Sequence, residues 1–194
     1  MPIEDSSTTK AEFYLKAYQH SVANQPQCLG SYVFYWNHKQ EKTHTWYGMF
    51  LSDGRRTAAI DTMQFVWTGG WPINRCPRLE DAIRISATGA SATNGGWILP
   101  VGSRFHADIQ ATDPEGDSLT ITWDLRVDAA DHPNVGGDYE APTPPLEGTV
   151  TDSIDGGKKV EVTLPGRPGK YRLFVYAHDD HGGAATANVP ILLR

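Results

Sequence analysis

The sequence predicts an α+β chain in two parts, a small α/β element over residues 1–78 and a β-sandwich over residues 83–194. The first observation is the alternation of apolar and polar residues in three segments, 104–111, 118–126 and 170–178. A period of two places each apolar set on one face of a strand, so several such strands can enclose a core. The second observation is helical periodicity in the N-terminal part, which is also rich in aromatic residues.

The N-terminal part begins with a helix predicted over about residues 8–24, because residues 5–7 offer caps and apolar residues recur on one face. The run CLGSYVFYW at residues 28–36 is continuously apolar and aromatic, as expected for a strand buried on both faces of a parallel sheet. A polar loop over residues 37–45 and a second helix over about residues 56–67 are expected next. This order of elements is typical of a β/α barrel or a layered α/β fold.

The C-terminal part follows a connector over residues 69–79, which is rich in proline and glycine. A long loop is expected over residues 127–157. Trp123 lies on the inward face of its strand, and Tyr171 opens the penultimate strand. In immunoglobulin-like sandwiches a tryptophan fills the core and a tyrosine bonds back to the backbone at a strand corner, so both residues are expected to be structural. Strands are expected near residues 83–86, 97–100, 104–111, 118–126, 158–164, 170–178 and 184–193.

Two aromatic residues of the penultimate strand, Phe174 and Tyr176, point outward if Leu173 and Val175 point into the core. A sheet face that carries two aromatic side chains is expected to be covered. The N-terminal part is the expected cover, through its helices and Trp67 or Trp71, and sugar stacking is the alternative.

Charge is unevenly placed along the chain. Residues 1–82 hold 8 Lys/Arg and 8 Asp/Glu, whereas residues 83–194 hold 9 and 15, which gives the net charge of -6. An acidic part repels phosphate backbones, so no nucleic-acid partner is expected. No apolar run approaches the roughly 18 residues of a membrane span, so no membrane partner is expected either. The opening MPIEDSSTTK has no apolar stretch of the signal-peptide type, and an extracellular or periplasmic localisation is expected only if a secreted parent protein exists.

Cysteine and metal-ligand patterns give few site signals. Cys28 and Cys76 allow one disulfide or two separate thiols. His38 and His44 have no third ligand in a zinc pattern, and neither a metal nor a cofactor is expected. Two acidic turns suggest either a calcium site or plain turn chemistry, and both interpretations stay open. Their carboxylates belong to Asp113, Glu115, Asp117, Asp179 and Asp180.

Two segments of the C-terminal part, ATDPEGDSLTITWDL and YRLFVYAHDDHGGAATANVPI, resemble PKD and related bacterial Ig-like or cadherin-like modules. The resemblance covers about residues 104–126 and 170–193. It implies a turn of the DPDGD type before the strand that carries Trp123. The glycine-aspartate turn that is usual after this tryptophan is replaced here by LRVDAADHPNVGGDYE.

Residues 28–77 resemble the last β/α unit of a glycoside hydrolase family 2-like barrel, through GSYVFYW, KQE, TWYG and WPINR. The resemblance implies that Trp36 ends a barrel strand at the sugar-binding face, where aromatic rings stack on pyranose rings. It makes Trp36, Trp46 and Glu41 the candidate ligand-binding residues. A solvated loop charge is the alternative for Glu41, because glycosidases need two facing carboxylates and Glu41 has no partner nearby in sequence. No catalytic residue is assigned.

The function expected from these observations is non-catalytic. The chain is predicted to be an accessory or C-terminal portion of a glycoside-hydrolase-like protein that supports or targets the enzyme to polysaccharide. Carbohydrate and the catalytic barrel of a parent protein are the expected partners. One alternative is a part of an active glycosidase when joined to a complete barrel, and another is a calcium-dependent adhesion module.

Overall fold

The computed structural model of the chain describes residues 1–79, 82–129 and 140–194. This part is mixed α+β and consists mostly of strands. The helices are α1 Ser7–Tyr18 and α2 Ala58–Thr68, and a π-helical turn covers Gln19–Ala23. The strands are β1 His38–Glu41, β2 Thr43–Gly48, β3 Arg56–Thr57, β4 Arg78–Leu79, β5 Arg84–Ser86, β6 Ser91–Thr93, β7 Gly96–Leu99, β8 Arg104–Asp108, β9 Ala111–Thr112, β10 Thr120–Val127, β11 Val150–Ile154, β12 Lys159–Thr163, β13 Gly169–His178 and β14 Gly183–Leu193.

Two larger sheets share one hydrophobic core. The first has the strand order β10-β13-β14-β7-β6, with β3 also paired to β14, and the second has the order β11-β12-β8-β5. Buried side chains of both sheets belong to one cluster, with Phe105 and Val162 from the second sheet and Leu125 and Leu173 from the first. The sheets are open, and no barrel is closed within the described residues.

The strands predicted from the alternation over residues 118–126 and 170–178 are confirmed as β10 and β13. These strands pair antiparallel, with Trp123 opposite Val175. Trp123 packs against the core, and its Nε1 donates a hydrogen bond to the carbonyl oxygen of Gly157 at 2.7 Å. The Tyr171 hydroxyl donates to the carbonyl oxygen of Arg167 at 3.1 Å. Both residues therefore have the structural roles that the sequence predicted.

The two predicted helices are also present. The helix α1 begins after Ser6, whose side-chain oxygen accepts a hydrogen bond from the Thr9 N–H at 3.2 Å. The helix α2 ends at Gly69, which adopts φ 79°, a left-handed conformation that glycine reaches at little cost. Met49 and Met63 pack in a second, smaller core with parts of both helices.

The prediction of a buried strand over residues 28–36 is wrong. The structure gives this segment no strand pairing and leaves Leu29, Tyr32 and Phe34 exposed. A strand is stabilised by hydrogen bonds to a neighbour, and no neighbouring strand is placed beside this segment in the described part of the chain. The apolar composition of this segment is typical of a buried strand, but a strand forms only where a neighbouring strand is available to pair with it.

The predicted polar loop over residues 37–45 is wrong as well, because β1 and β2 form an antiparallel hairpin there. The long loop expected over residues 127–157 contains one further strand, β11, which pairs with β12. The part of that loop over residues 130–139 lies outside the described residues.

The hairpin of β1 and β2 covers the outward face of β13, as expected of the N-terminal part. Phe174 is only 2% exposed, and its ring centroid lies 4.4 Å from that of His44 on β2. The sequence predicts this cover from the helices and Trp67 or Trp71, whereas the structure supplies it from the hairpin of β1 and β2.

Short strands and side chains join the N-terminal and C-terminal parts. The strand β3 pairs parallel with β14, and β4 pairs antiparallel with β9. Arg56 on β3 donates to the carbonyl oxygen of Asn74 at 2.9 Å and to that of His181 at 2.7 Å. Among the described helices, none is long and apolar enough to cross a membrane.

Candidate functional site

A cleft of about 500 Å³ opens between α1, the segment 28–36 and β2. Seven aromatic side chains from three parts of the chain face this cleft. Its aromatic lining comprises Phe13, Tyr14, Tyr32, Phe34, Trp46, Tyr47 and Phe50. We call this site the aromatic cleft.

The rings of the aromatic cleft contact one another and leave surface open to solvent. The centroids of Phe34 and Tyr47 lie 4.9 Å apart with a 52° angle between the ring planes. Trp46 meets Tyr47 edge-on at 6.4 Å. Phe13 and Phe34 are 69% and 70% exposed. Because these exposed rings lie together rather than singly, they make the cleft a candidate interaction site.

Charged groups at the cleft floor satisfy one another. Lys10 Nζ donates to Glu4 Oε1 at 2.6 Å and to the carbonyl oxygen of Thr45 at 2.7 Å. The other Glu4 oxygen accepts from the Thr43 hydroxyl at 2.6 Å and from Asn188 Nδ2 at 2.7 Å. A buried charge needs such partners to be stable. Glu4 and Lys10 therefore anchor the N-terminal segment and the hairpin, and they present no free charge to a ligand.

Several uncharged polar groups of the cleft remain available. Trp46 Nε1 and the hydroxyls of Tyr14, Tyr32 and Tyr47 have no hydrogen-bond partner within the described residues. Burial raises the pKa of Tyr14, so its hydroxyl stays protonated and able to donate. The cleft thus combines ring faces with neutral donors, and Asp5 is the exposed carboxylate of its lining.

Trp36, one of the three predicted ligand-binding residues, lies beside the aromatic cleft. Its ring stacks on Trp67 at 5.8 Å with a 25° angle between planes, and it meets Phe50 edge-on at 5.8 Å. Phe50 also lines the cleft, so the aromatic surface continues from the cleft to Trp67. Both tryptophans are about half exposed, at 50% and 52%.

The other two predicted residues are separated. Trp46 lines the aromatic cleft. Glu41 ends β1 and forms an ion pair with Lys39 on the same strand, away from the cleft lining. The structure therefore brings Trp36 and Trp46 to one continuous surface and leaves Glu41 on the hairpin. The role of each in binding stays a prediction.

A buried polar network, which the sequence analysis missed, fixes the hairpin that carries Trp46. His44 Nε2 lies 2.5 Å from the Tyr176 hydroxyl, which donates to Asp124 Oδ2 at 3.3 Å. Arg126 donates to both oxygens of Asp124, at 2.9 and 2.7 Å. Burial first, and then the nearby positive charge of Arg126, lowers the pKa of His44 to about 3. A neutral His44 with its proton on Nε2 donates to Tyr176, which satisfies the network.

The acidic turns do meet at one end of the sheets. Asp117 Oδ2 lies 3.6 Å from His181 Nε2, and Asn74 donates to the same oxygen. Asp113 and Asp179 each accept two backbone N–H groups of their own turns. In the three described ranges no group of three or more His, Cys, Asp or Glu residues is placed to hold a metal ion.

The two cysteines are free thiols in the structure. Cys76 is buried, and desolvation raises the pKa of its thiol, so the reactive thiolate form is disfavoured. Cys28 is half-buried, and its thiol donates to the carbonyl oxygen of Gly30 at 3.4 Å.

Comparison with known proteins gives distant structural likeness alone. No family model matches the chain, and no curated protein matches it. Among solved structures, the chain is similar to a nucleoside hydrolase-related hypothetical protein from Saccharophagus degradans that is associated with carbohydrate metabolism. The identity is 18% and the TM-score 0.41, over 69% of this chain and 29% of that one. So remote a likeness assigns neither family nor activity, and the resemblances to glycoside hydrolase family 2 and to PKD modules stay predictions.

Proposed function

We propose that this chain is a non-catalytic accessory module that binds neutral carbohydrate in the aromatic cleft. The observation that carries the proposal is the lining itself, in which exposed rings lie beside uncharged donors such as Trp46 Nε1 and the Tyr47 hydroxyl. A sugar ring presents apolar C–H faces and hydroxyl edges, and this combination of aromatic surface with few polar groups fits both.

The charge of the cleft favours neutral over acidic sugars. The positive charge of Lys10 is neutralised by Glu4, and Asp5 adds a negative charge to the lining. A carboxylated sugar would therefore lose its hydration and meet no free cation. We expect neutral polysaccharides to bind and polyuronates to bind weakly or not at all.

The charged groups at the floor of the cleft also favour binding without catalysis. A glycosidase requires one carboxyl group as acid and a second as base or nucleophile. Glu4 accepts from Lys10, Thr43 and Asn188, so both of its oxygens are occupied. The module would support or target a glycoside-hydrolase-like parent protein, and its two sheets would form an immunoglobulin-like frame for the cleft.

Trp46 in the cleft and Trp36 beside it are the proposed sugar contacts. Glu41, held by Lys39 on β1, is proposed as an outer polar contact for a longer glycan. An aromatic side chain at the centre of such a site commonly contributes more than 1 kcal/mol, which is about a fivefold to tenfold effect on affinity.

Retention on insoluble polysaccharides tests the proposal. The chain is mixed with cellulose, xylan, chitin and starch granules, and with pectin and alginate as acidic comparisons. Trp46→Ala should lower retention by about tenfold if the indole stacks on sugar. Trp71→Ala is the matched control, because Trp71 is also partly exposed but stacks on Phe65 outside the cleft. Equal retention of both variants, or no retention of the unmodified chain, would refute carbohydrate binding at this cleft.

A further inference from the structure

A second cleft, of about 530 Å³, opens between the start of the chain and the strands β6, β7 and β14. Residues 3–5 line both this cleft and the aromatic cleft, so they form a common wall between the two. We call this wall the N-terminal ridge and the new cavity the second cleft. The two clefts therefore adjoin each other along one short stretch of backbone.

The N-terminal ridge is held by contacts at both of its ends. The carbonyl oxygen of Pro2 accepts a hydrogen bond from Arg172 at 2.8 Å. The Ser7 hydroxyl oxygen accepts from the Thr186 N–H at 2.9 Å. Glu4, between these ends, is only 8% exposed, and both of its carboxylate oxygens have partners. A segment with buried and satisfied contacts opens rarely, so the ridge holds the two clefts in a fixed relative position.

The second cleft has the same kind of lining as the aromatic cleft, an aromatic ring beside neutral hydrogen-bonding groups. Trp97 lines it and is half-buried, because the indole also packs against the larger core. Trp97 Nε1 and the Thr93 hydroxyl have no hydrogen-bond partner within the described residues. Among the described residues that line this cleft there is no lysine, arginine or histidine. An anionic ligand would meet no cation there, whereas a neutral ring with hydroxyl edges fits the lining.

Asp5 stands on the N-terminal ridge as the exposed carboxylate of both clefts. It has no hydrogen-bond or ion-pair partner in the part of the chain that the structure describes. An ionised carboxylate accepts hydrogen bonds at both oxygens, and adjacent hydroxyls of a sugar ring offer two donors side by side. Asp5 can therefore hold a neutral sugar at the point where one cleft meets the other.

We propose that the two clefts form one extended site, in which a single neutral glycan chain crosses the N-terminal ridge. This inference rests on the proposed function, because it takes the aromatic cleft as one end of the site. One sugar would lie on the rings of the aromatic cleft, a following sugar would donate to Asp5, and a further sugar would lie against Trp97. The site would recognise the interior of a chain several sugars long rather than a single terminal sugar.

Calorimetric titration of the complete chain with oligosaccharides of increasing length tests the proposal. The probes are cello-, xylo-, chito- and malto-oligosaccharides from the disaccharide to the hexasaccharide, which match the neutral polysaccharides of the retention assay. In a series that binds, the hexasaccharide should bind about tenfold more tightly than the disaccharide, because only the longer chain reaches a second aromatic contact.

Two variants should remove this gain with length and leave the affinity for the disaccharide unchanged. Trp97→Ala deletes the indole of the second cleft. Ala92→Lys leaves the core intact and fills the cleft instead, because the exposed Ala92 lies opposite Trp97 in the pairing of β6 with β7. Ser91→Lys is the matched control, since it adds the same charge to the same strand at an exposed residue outside the lining. It should keep the gain, and thermal unfolding should show that all three variants are folded.

Equal affinity for the disaccharide and the hexasaccharide would overturn the proposal. A gain with length that survives in both Trp97→Ala and Ala92→Lys would overturn it too, because the longer chain would then leave the aromatic cleft in another direction. In either case, disaccharide binding that Trp46→Ala weakens would leave the proposed function intact. If no oligosaccharide and no polysaccharide binds the unmodified chain, the proposed function fails and this inference fails with it.

Discussion

Acid should destabilise the fold through His44, because this side chain is buried in its neutral form. Its folded-state pKa is about 3, whereas the ordinary value is 6.5. Below pH 6.5 the unfolded chain binds a proton at this position that the folded chain does not. The folded pKa is the depressed one, so the free energy of unfolding falls as the pH is lowered from about 6.5 towards 3.

The magnitude follows from the difference between the two pKa values. The slope approaches about 1.4 kcal/mol per pH unit, so unfolding should become easier by about 2 kcal/mol between pH 7 and pH 5. Burial also lowers the pKa of His178, which adds a contribution of the same sign. The pKa of Asp53 is lowered by its hydrogen bonds and ion pair with Arg55, so carboxylates of this kind change the free energy of unfolding mainly below pH 5.

Urea unfolding followed by tryptophan fluorescence at several pH values measures this effect. His44→Gln keeps a polar group near the Tyr176 hydroxyl but has no proton to bind in this range. Its free energy of unfolding should therefore vary less with pH, although its stability at pH 7 is lower. His106→Gln, at an exposed position, is the control and should retain the His44 contribution. Parallel curves for the unmodified chain and His44→Gln between pH 7 and 5 would refute the reasoning.

Three further substitutions test the packing, each by the shift in free energy of unfolding in urea. Leu125→Ala should cost about 2–5 kcal/mol because Leu125 is completely buried, whereas Val127→Ala, half exposed on the same strand, should cost under about 0.5 kcal/mol. Arg172→Ala should cost about 3–5 kcal/mol because it leaves the buried Asp128 carboxylate without the guanidinium 2.8 Å away, and a cost below 1 kcal/mol would contradict this. Tyr171→Phe should cost about 0.5–1.5 kcal/mol through loss of its hydrogen bond, and no change would argue against a corner role.

The sequence was sufficient for elements whose signal is local. The alternation in residues 118–126 and 170–178 predicted β10 and β13, because a period of two is typical of a strand that turns one apolar face to the core. The strand predicted over residues 28–36 is absent because its formation depends on more than the local sequence. A continuous apolar run describes the side chains that a buried strand needs, but strand formation also depends on a neighbour that the local sequence does not contain.

The hairpin of β1 and β2 shows what local reasoning missed. Its residues are mostly polar, and polarity alone suggested a loop. Two signals were nevertheless present. Thr43 to Tyr47 are rich in threonine and aromatic residues, which favour strands. The outward Phe174 and Tyr176 required a cover with polar groups, which His44 provides.

The candidate site was only partly accessible from sequence. Trp36 and Trp46 came from a resemblance, and the structure places them on one surface through Phe50. Phe13 and Tyr14 could not be added to that site, because they lie on α1, well before Trp36 and Trp46 in the sequence, and their position depends on how α1 packs. Residues of a cleft built from three elements converge only through tertiary packing.

The covered face of β13 and the aromatic cleft differ in whether their tyrosine hydroxyls are hydrogen-bonded within the protein. Tyr176 lies under the hairpin, where its hydroxyl is bound to His44 and Asp124 and burial raises its pKa. Tyr32 and Tyr47 lie at the aromatic cleft, where their hydroxyls have no partner in the described chain. A covered aromatic face must satisfy its polar atoms within the protein, because an unsatisfied buried group is costly. The tyrosine hydroxyls of the cleft face solvent and are free to hydrogen-bond a ligand in place of water, whereas that of Tyr176 is not.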